Sequence, residues 1–220
     1  VIEFPWGQQS FWGDWPEYGW FRGWFGPEVA QCALMALENW AFHEIEGGRD
    51  VDSVLHDVIE GHTCWAVLGI AIAIMLETQH VSKTTLAILA CQRLWHVDLR
   101  RQLEEHPNIP SNLIGFTGIN GQERTDKLHF EAVKTANSRK CRRMSLRDLT
   151  PLFILNHDED IRQVTCEALA RFPVDLPFAY EEEKTSQSRV AELLSTAEIW
   201  AEWGKQENYK VSPHVEDGSS

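Results

Sequence analysis

An all-α fold is what the sequence predicts, drawn either as an α-solenoid of the HEAT or armadillo kind or as an irregular array of seven to eight helices. Three observations point there. Apolar residues recur at three- and four-residue steps through most of the chain, Gly, Pro and capping residues interrupt them at short intervals, and no stretch reads convincingly as a strand. No exact period repeats, so the helical content is better defined than any repeat architecture.

Residues 1–25 are an aromatic, Gly-rich lead-in: Trp6, Trp12, Trp15, Trp20 and Trp24 alternate with Phe4, Phe11, Phe21 and Phe25, and glycines separate them. Such rings form either a stacking platform for sugars or bases, or a segment laid over the first helices with its rings filling grooves. We favour the second, because a large exposed apolar patch is uncommon on a soluble monomer and usually marks a partner. Trp12, Trp15, Trp20 and Arg22, the one cation of the segment, are retained as interaction candidates.

An N-terminal helical lobe follows over 26–106. Gly26-Pro27-Glu28 reads as a helix start, and Val29, Ala33, Ala36, Leu37, Trp40 and Ala41 stack on one face expected to turn inward until Gly47-Gly48 stops the helix. Trp40 is expected at the centre of this lobe, together with the helix that runs from Cys64 to Leu76. A second helix is capped by Asp50 or Asp52 and carries Val51, Val54, Leu55, Val58 and Ile59. The third starts near Thr63 and is apolar on every side, so other helices must surround it. The uncharged interval between Glu60 and Glu77 is 16 residues, short of the ~20 needed to span a hydrocarbon core and without Lys/Arg flanks. A buried core helix and no membrane contact are the reading. Ser82 then caps a long helical segment that runs to His106-Pro107 with room for a bend.

Residues 107–125, with Pro107, Pro110, Gly115, Gly118 and Gly121, read as the longest loop, dividing the chain before a C-terminal helical lobe over 126–203. There Thr125 opens a polar helix with Leu128, Ala132, Val133 and Ala136 as its apolar stripe, and Ser145 to Asp148 resembles a capping box ahead of Leu152, Phe153 and Leu155. Asp158 caps a helix that Pro173 ends, with Val164 among its inward residues. A last helix covers about Ser188 to Trp203, and 204–220 is a polar tail. The chain opens on Val and closes on a polar run, which leads us to expect a piece of something longer.

Composition narrows function. With 43% hydrophobic residues, ten Trp and ten Phe there is ample core, while a net charge of −13 argues against a chain that coats nucleic acid or anionic membrane along its length. Five widely separated cysteines read as reduced, cytosolic thiols. No phosphate-cradling loop is present: Ser82-Lys83-Thr84-Thr85 lacks the preceding glycines, and Gly115, Gly118 and Gly121 lack the Lys. Glu77-Thr78-Gln79-His80 is a single copy of a spacing that a di-iron bundle needs twice, so no metal, cofactor or catalytic residue is assigned. The charge feature above background is Arg139, Lys140, Arg142, Arg143 and Arg147. Uncompensated, this cluster would hold phosphates or an acidic partner. We expect instead that Glu181, Glu182 and Glu183 neutralise it, since no interleaved aromatic or Gly-rich nucleic-acid motif accompanies it.

Tyr18 to Gly23, Ala33 to Trp40, Gly48 to Asp52, Asp175 to Glu181 and Ala197 to Ala201 together resemble the helical region downstream of the ATPase module in large bacterial, STAND-like, defence-associated P-loop NTPases. The resemblance implies a sensor or scaffold whose ATP chemistry belongs to another part of a longer polypeptide, and it carries over no catalytic residue. The expectation is a cytoplasmic, non-catalytic helical region that recognises a protein partner. The alternative is a stand-alone nucleic-acid-binding protein or enzyme that uses the Arg139 to Arg147 cluster.

Overall fold

A computed structural model describes residues 1–106, 123–176 and 187–210. Among them the chain is an all-α array of ten helices with one small hairpin. The loop expected over 107–125 falls mostly outside the described residues, as do the acidic run at Glu181 to Glu183 and the end of the tail.

The hairpin lies in the aromatic lead-in. β1 (Ile2–Phe4) pairs antiparallel with β2 (Gly7–Gln9), Ile2 opposite Gln9 and Phe4 opposite Gly7. Ile2 and Phe4 point inward, and Gly7 turns the corner with φ of 125°, a conformation that favours glycine. Gln9 then donates from Nε2 to the carbonyls of Ile59 and His62 at 2.7 and 2.6 Å, supplying the end of a helix with donors it would otherwise lack. A period of three residues per strand is too short to register as alternation in the sequence.

The chain continues through α1 (Trp15–Tyr18), a 3₁₀ turn (Gly19–Arg22), α2 (Glu28–Glu46), α3 (Val51–Ile59) and α4 (Trp65–Thr78). Every residue of α4 from Trp65 to Leu76 is buried, as its uniformly apolar sequence requires. The lead-in packs directly on it: a Cβ added to Gly69 would lie 2.4 Å from Cε1 of Phe21, so the glycine is the notch that admits that ring. Trp12 is pinned alongside by backbone hydrogen bonds to Thr63 and from Trp65, at 2.7 and 3.1 Å.

Asp50 is the cap of α3, accepting from the Ser53 amide at 2.9 Å. Ser82 caps α5 (Lys83–Leu89), which is bent 117° from α4. The long segment after Ser82 breaks at Ala90-Cys91, where α6 (Gln92–Glu105) begins. Among the described residues no single helix is long and apolar enough to cross a membrane.

The chain divides into two compact units after Leu152 rather than at the 107–125 segment, so α7 (Glu123–Ser138) belongs to the first unit. The division falls inside α8 (Thr150–Ile154), and the second unit holds α9 (Glu159–Arg171), capped by Asp158, and α10 (Gln187–Trp203). There Phe172 meets Trp200 edge to face at 6.3 Å, beside buried Leu169 and Ala197. Leu128, Leu155 and Val164, expected inward, are exposed instead.

The largest departure is α2. Most of its expected inward stripe turns outward: Val29 is 83% exposed, Ala33 and Ala36 are exposed, and Trp40 is only half-buried, with the Arg49 guanidinium 5.8 Å from its ring, whereas Ala41 is buried as expected. The residues that face the interior are Glu38, Ala41 and Phe42. Trp40 is therefore not the centre of the lobe. A buried carboxylate defeats a reading that assumes the apolar face is the inner face.

Candidate functional site

Glu38 belongs to a buried charge network that gathers distant parts of the first unit. Three residues of α6 supply its base. Asp98, Arg101 and Glu105 stand at i, i+3 and i+7 on one helix face, and all three are buried. Arg101 donates from Nε to Asp98 at 2.7 Å, from Nη1 to Glu105 at 3.1 Å and from Nη2 to the Met144 carbonyl at 2.6 Å. The lead-in contributes the Tyr18 hydroxyl, which donates to Asp98 at 2.7 Å, and Arg22, whose Nε reaches Glu105 at 2.6 Å. Arg22 also donates from Nη2 to Oδ1 of Asn137 on α7 at 2.6 Å. The second carboxylate oxygen of Asp98 accepts from the Leu146 amide at 2.6 Å. Arg142, from the 3₁₀ turn after α7, donates to Oε2 of Glu38 at 2.5 Å and to the Ala136 carbonyl at 3.3 Å.

Three arginines thus face three carboxylates, all six side chains buried. Burial alone would neutralise such groups; mutual pairing keeps them ionised. Burial pushes the Glu105 carboxyl up, but Arg22 and Arg101 more than offset it and hold the group below its usual range. Burial also lowers Arg142, yet the Glu38 carboxylate beside it leaves it raised. Arg22 is lowered, by burial and by the nearby Arg142. The Tyr18 phenol is pushed well up, by burial and then by Asp98, so it stays a hydrogen-bond donor.

This arrangement corrects the basic-cluster expectation. Arg142 is inside the protein, and Arg139 is ion-paired with Glu46 at 2.9 Å while lying 4.0 Å over the Phe42 ring. Arg147 is half-buried, 3.4 Å from Oε1 of Gln102. Lys140 and Arg143 are the two exposed members. Among the described residues Glu38 and Glu46 supply compensation, while the acidic run expected to do so, Glu181 to Glu183, lies outside them.

The aromatic candidates also separate. Trp15 is buried under the Arg100 guanidinium at 4.6 Å, Trp20 is half-buried, and Arg22 lies in the network. Trp12, 53% exposed and edge-on to Trp20 at 6.0 Å, is the one that meets solvent. Phe4, Trp15 and Phe21 are buried against the first helices, whereas Trp12 and Phe25 stay exposed.

Above the network, α2 and α7 enclose a groove of about 320 Å³. Cys32, Met35 and Ala36 line one wall and Ala132, Val133 and Ala136 the other, with Arg22, Glu38 and Asn137 at the base. Glu38 is one of the lining residues, and its Oε1 is buried without a hydrogen-bond partner. Sequence spacing alone offered one signal for this site: Asp98, Arg101 and Glu105 continue the stripe begun by Leu94 and Val97, placing charges on an apolar face.

Burial pushes the Cys141 thiol up to about 12 and raises Cys64, Cys91 and Cys166, which removes the thiolate that reactivity requires. Among the described residues no group of three or more His, Cys, Asp or Glu side chains is placed to hold a metal ion. Glu77 accepts from the Cys141 amide at 2.9 Å, whereas His80 meets Asp52 at 3.2 Å, so the Glu-x-x-His pair has separate partners. The chain matches no protein-family model, no curated protein and no solved structure.

Proposed function

We propose that this chain is a non-catalytic helical interaction region, the sensing or scaffolding part of a longer bacterial ATP-binding protein of the defence-associated kind that its sequence resembles. One observation carries the interaction reading: α2 turns an apolar strip of Val29, Cys32, Ala33 and Ala36 to solvent, at the i, i+3, i+4, i+7 spacing of a helix-packing face. Phe25, just before the helix, is 72% exposed. Of the 19 residues of α2, four are Glu and none is Lys or Arg. Glu38, Glu44 and Glu46 are paired with Arg142, Arg49 and Arg139, so the partner that fits is a helix with an apolar stripe and a basic flank set against the exposed Glu28, because charge complementarity sets register and encounter rate.

The test is a photo-crosslinking side chain at position 33, with Lys83 as the control position. A discrete adduct at 33 to a helix with a basic flank, lost in Ala36→Glu, is expected. Equal labelling at both positions would reject the interaction face. The non-catalytic part is tested separately by titration calorimetry with ATP, where saturable binding would overturn it, since no phosphate cradle is present in the sequence.

A further inference from the structure

We propose that the groove between α2 and α7 is a binding site for a neutral, largely apolar small molecule that presents one N–H or O–H donor to Glu38. This goes beyond the partner-helix reading and does not depend on it. The volume of about 320 Å³ suits a small ligand, and the lining is mostly apolar, with Asn39, His129 and Arg139 as polar groups besides those at the base.

The base defines the chemistry. Glu38 is 4% exposed; its Oε2 is held by Arg142, while its Oε1 is buried with no partner in the protein. A buried carboxylate oxygen left unsatisfied is costly, and a ligand donor would relieve that cost. Charge balance then selects the donor. Arg22 is engaged by Glu105 and Asn137, Arg139 by Glu46, and Arg142 by Glu38. Each cation near the groove already has its acceptor. A cationic ligand would add an unpaired charge beside Arg22 and Arg142, and an anionic one would face Glu38 directly. A neutral donor on an apolar body satisfies the oxygen without disturbing either sign.

The experiment uses the whole chain and three probes of similar shape: indole, benzofuran, in which oxygen replaces the N–H, and tryptamine, which adds a cation. Binding is read by ligand-detected NMR, and by the rate at which iodoacetamide alkylates Cys32, an exposed thiol in the groove wall. Indole should bind saturably and slow the Cys32 reaction, while benzofuran binds at least about tenfold more weakly, the worth of one hydrogen bond to a charged acceptor. Tryptamine should bind no better than indole. Ala136→Phe, which fills the groove, should abolish indole binding; Ala132→Phe serves the same purpose at an exposed position if the first variant melts early. Absence of saturable indole binding, equal affinity for benzofuran, or binding unaffected by a folded groove-filling variant would each overturn the proposal.

Discussion

Arg142 illustrates how much one side chain can depend on its surroundings. Removing one member of a buried ion pair leaves the other without compensation, so Arg142→Ala should lower stability by about 3–5 kcal/mol in denaturant titration. Replacing both Glu38 and Arg142 by Met should recover most of that loss, because two apolar groups of similar length carry no desolvation cost. Tyr18→Phe removes a single donor to Asp98 and should cost about 1–3 kcal/mol, since an acceptor at full burial loses a partner. His96 gives a pH signature of a different origin. Burial pulls its imidazole down to about 4 from an ordinary 6.5. Between those values the unfolded chain binds the proton and the folded chain does not, so stability rises with pH and should fall by about 3 kcal/mol from pH 6.5 to pH 4. Thermal melts across that range, compared with His96→Gln, check it; an unchanged slope in the variant would assign the effect elsewhere.

At the scale of elements, the sequence was legible wherever local chemistry decides. Ser82, Ser145 and Asp158 cap the turns and helices they were expected to cap, and Asp50 is the one of the two candidates, Asp50 or Asp52, that caps α3, because a short side-chain acceptor and a free amide need nothing from the rest of the chain. Which face of α2 turns inward was not legible. Its apolar stripe and its buried stripe differ, and that choice depends on Arg142, 104 residues downstream. The same is true of the lead-in, whose rings could be placed over the helices in general terms, but whose seat at Gly69 only the packed structure reveals. Gly69→Ala forces a methyl against the Phe21 ring and should destabilise by about 1–3 kcal/mol despite the better helix propensity of alanine. Pairing that change with Phe21→Leu should relieve much of the loss. By contrast Val29→Lys on the solvent side of α2 should shift stability by no more than about 0.5 kcal/mol.

For the molecule as a whole, a charge of −13 and a basic cluster largely occupied by its own carboxylates set the expectation for polyanions. Short RNA and DNA should show no micromolar, steeply salt-dependent binding, and Arg143→Glu should change nothing measurable in such a titration. The charge network also bears on how the protein is made. A nascent chain that has emerged only as far as His106 contains Arg22 and Arg101 against Glu38, Asp98 and Glu105, two positive groups for three negative ones. Glu38 has no arginine to receive it until residue 142 leaves the ribosome, and Asp98 waits for the Leu146 amide. At synthesis rates of about 5–20 residues per second, that interval lasts seconds. During it, α2 has a reason to remain undocked, holding its carboxylate in water, so the first unit is expected to close late and as a whole instead of helix by helix from its N-terminus.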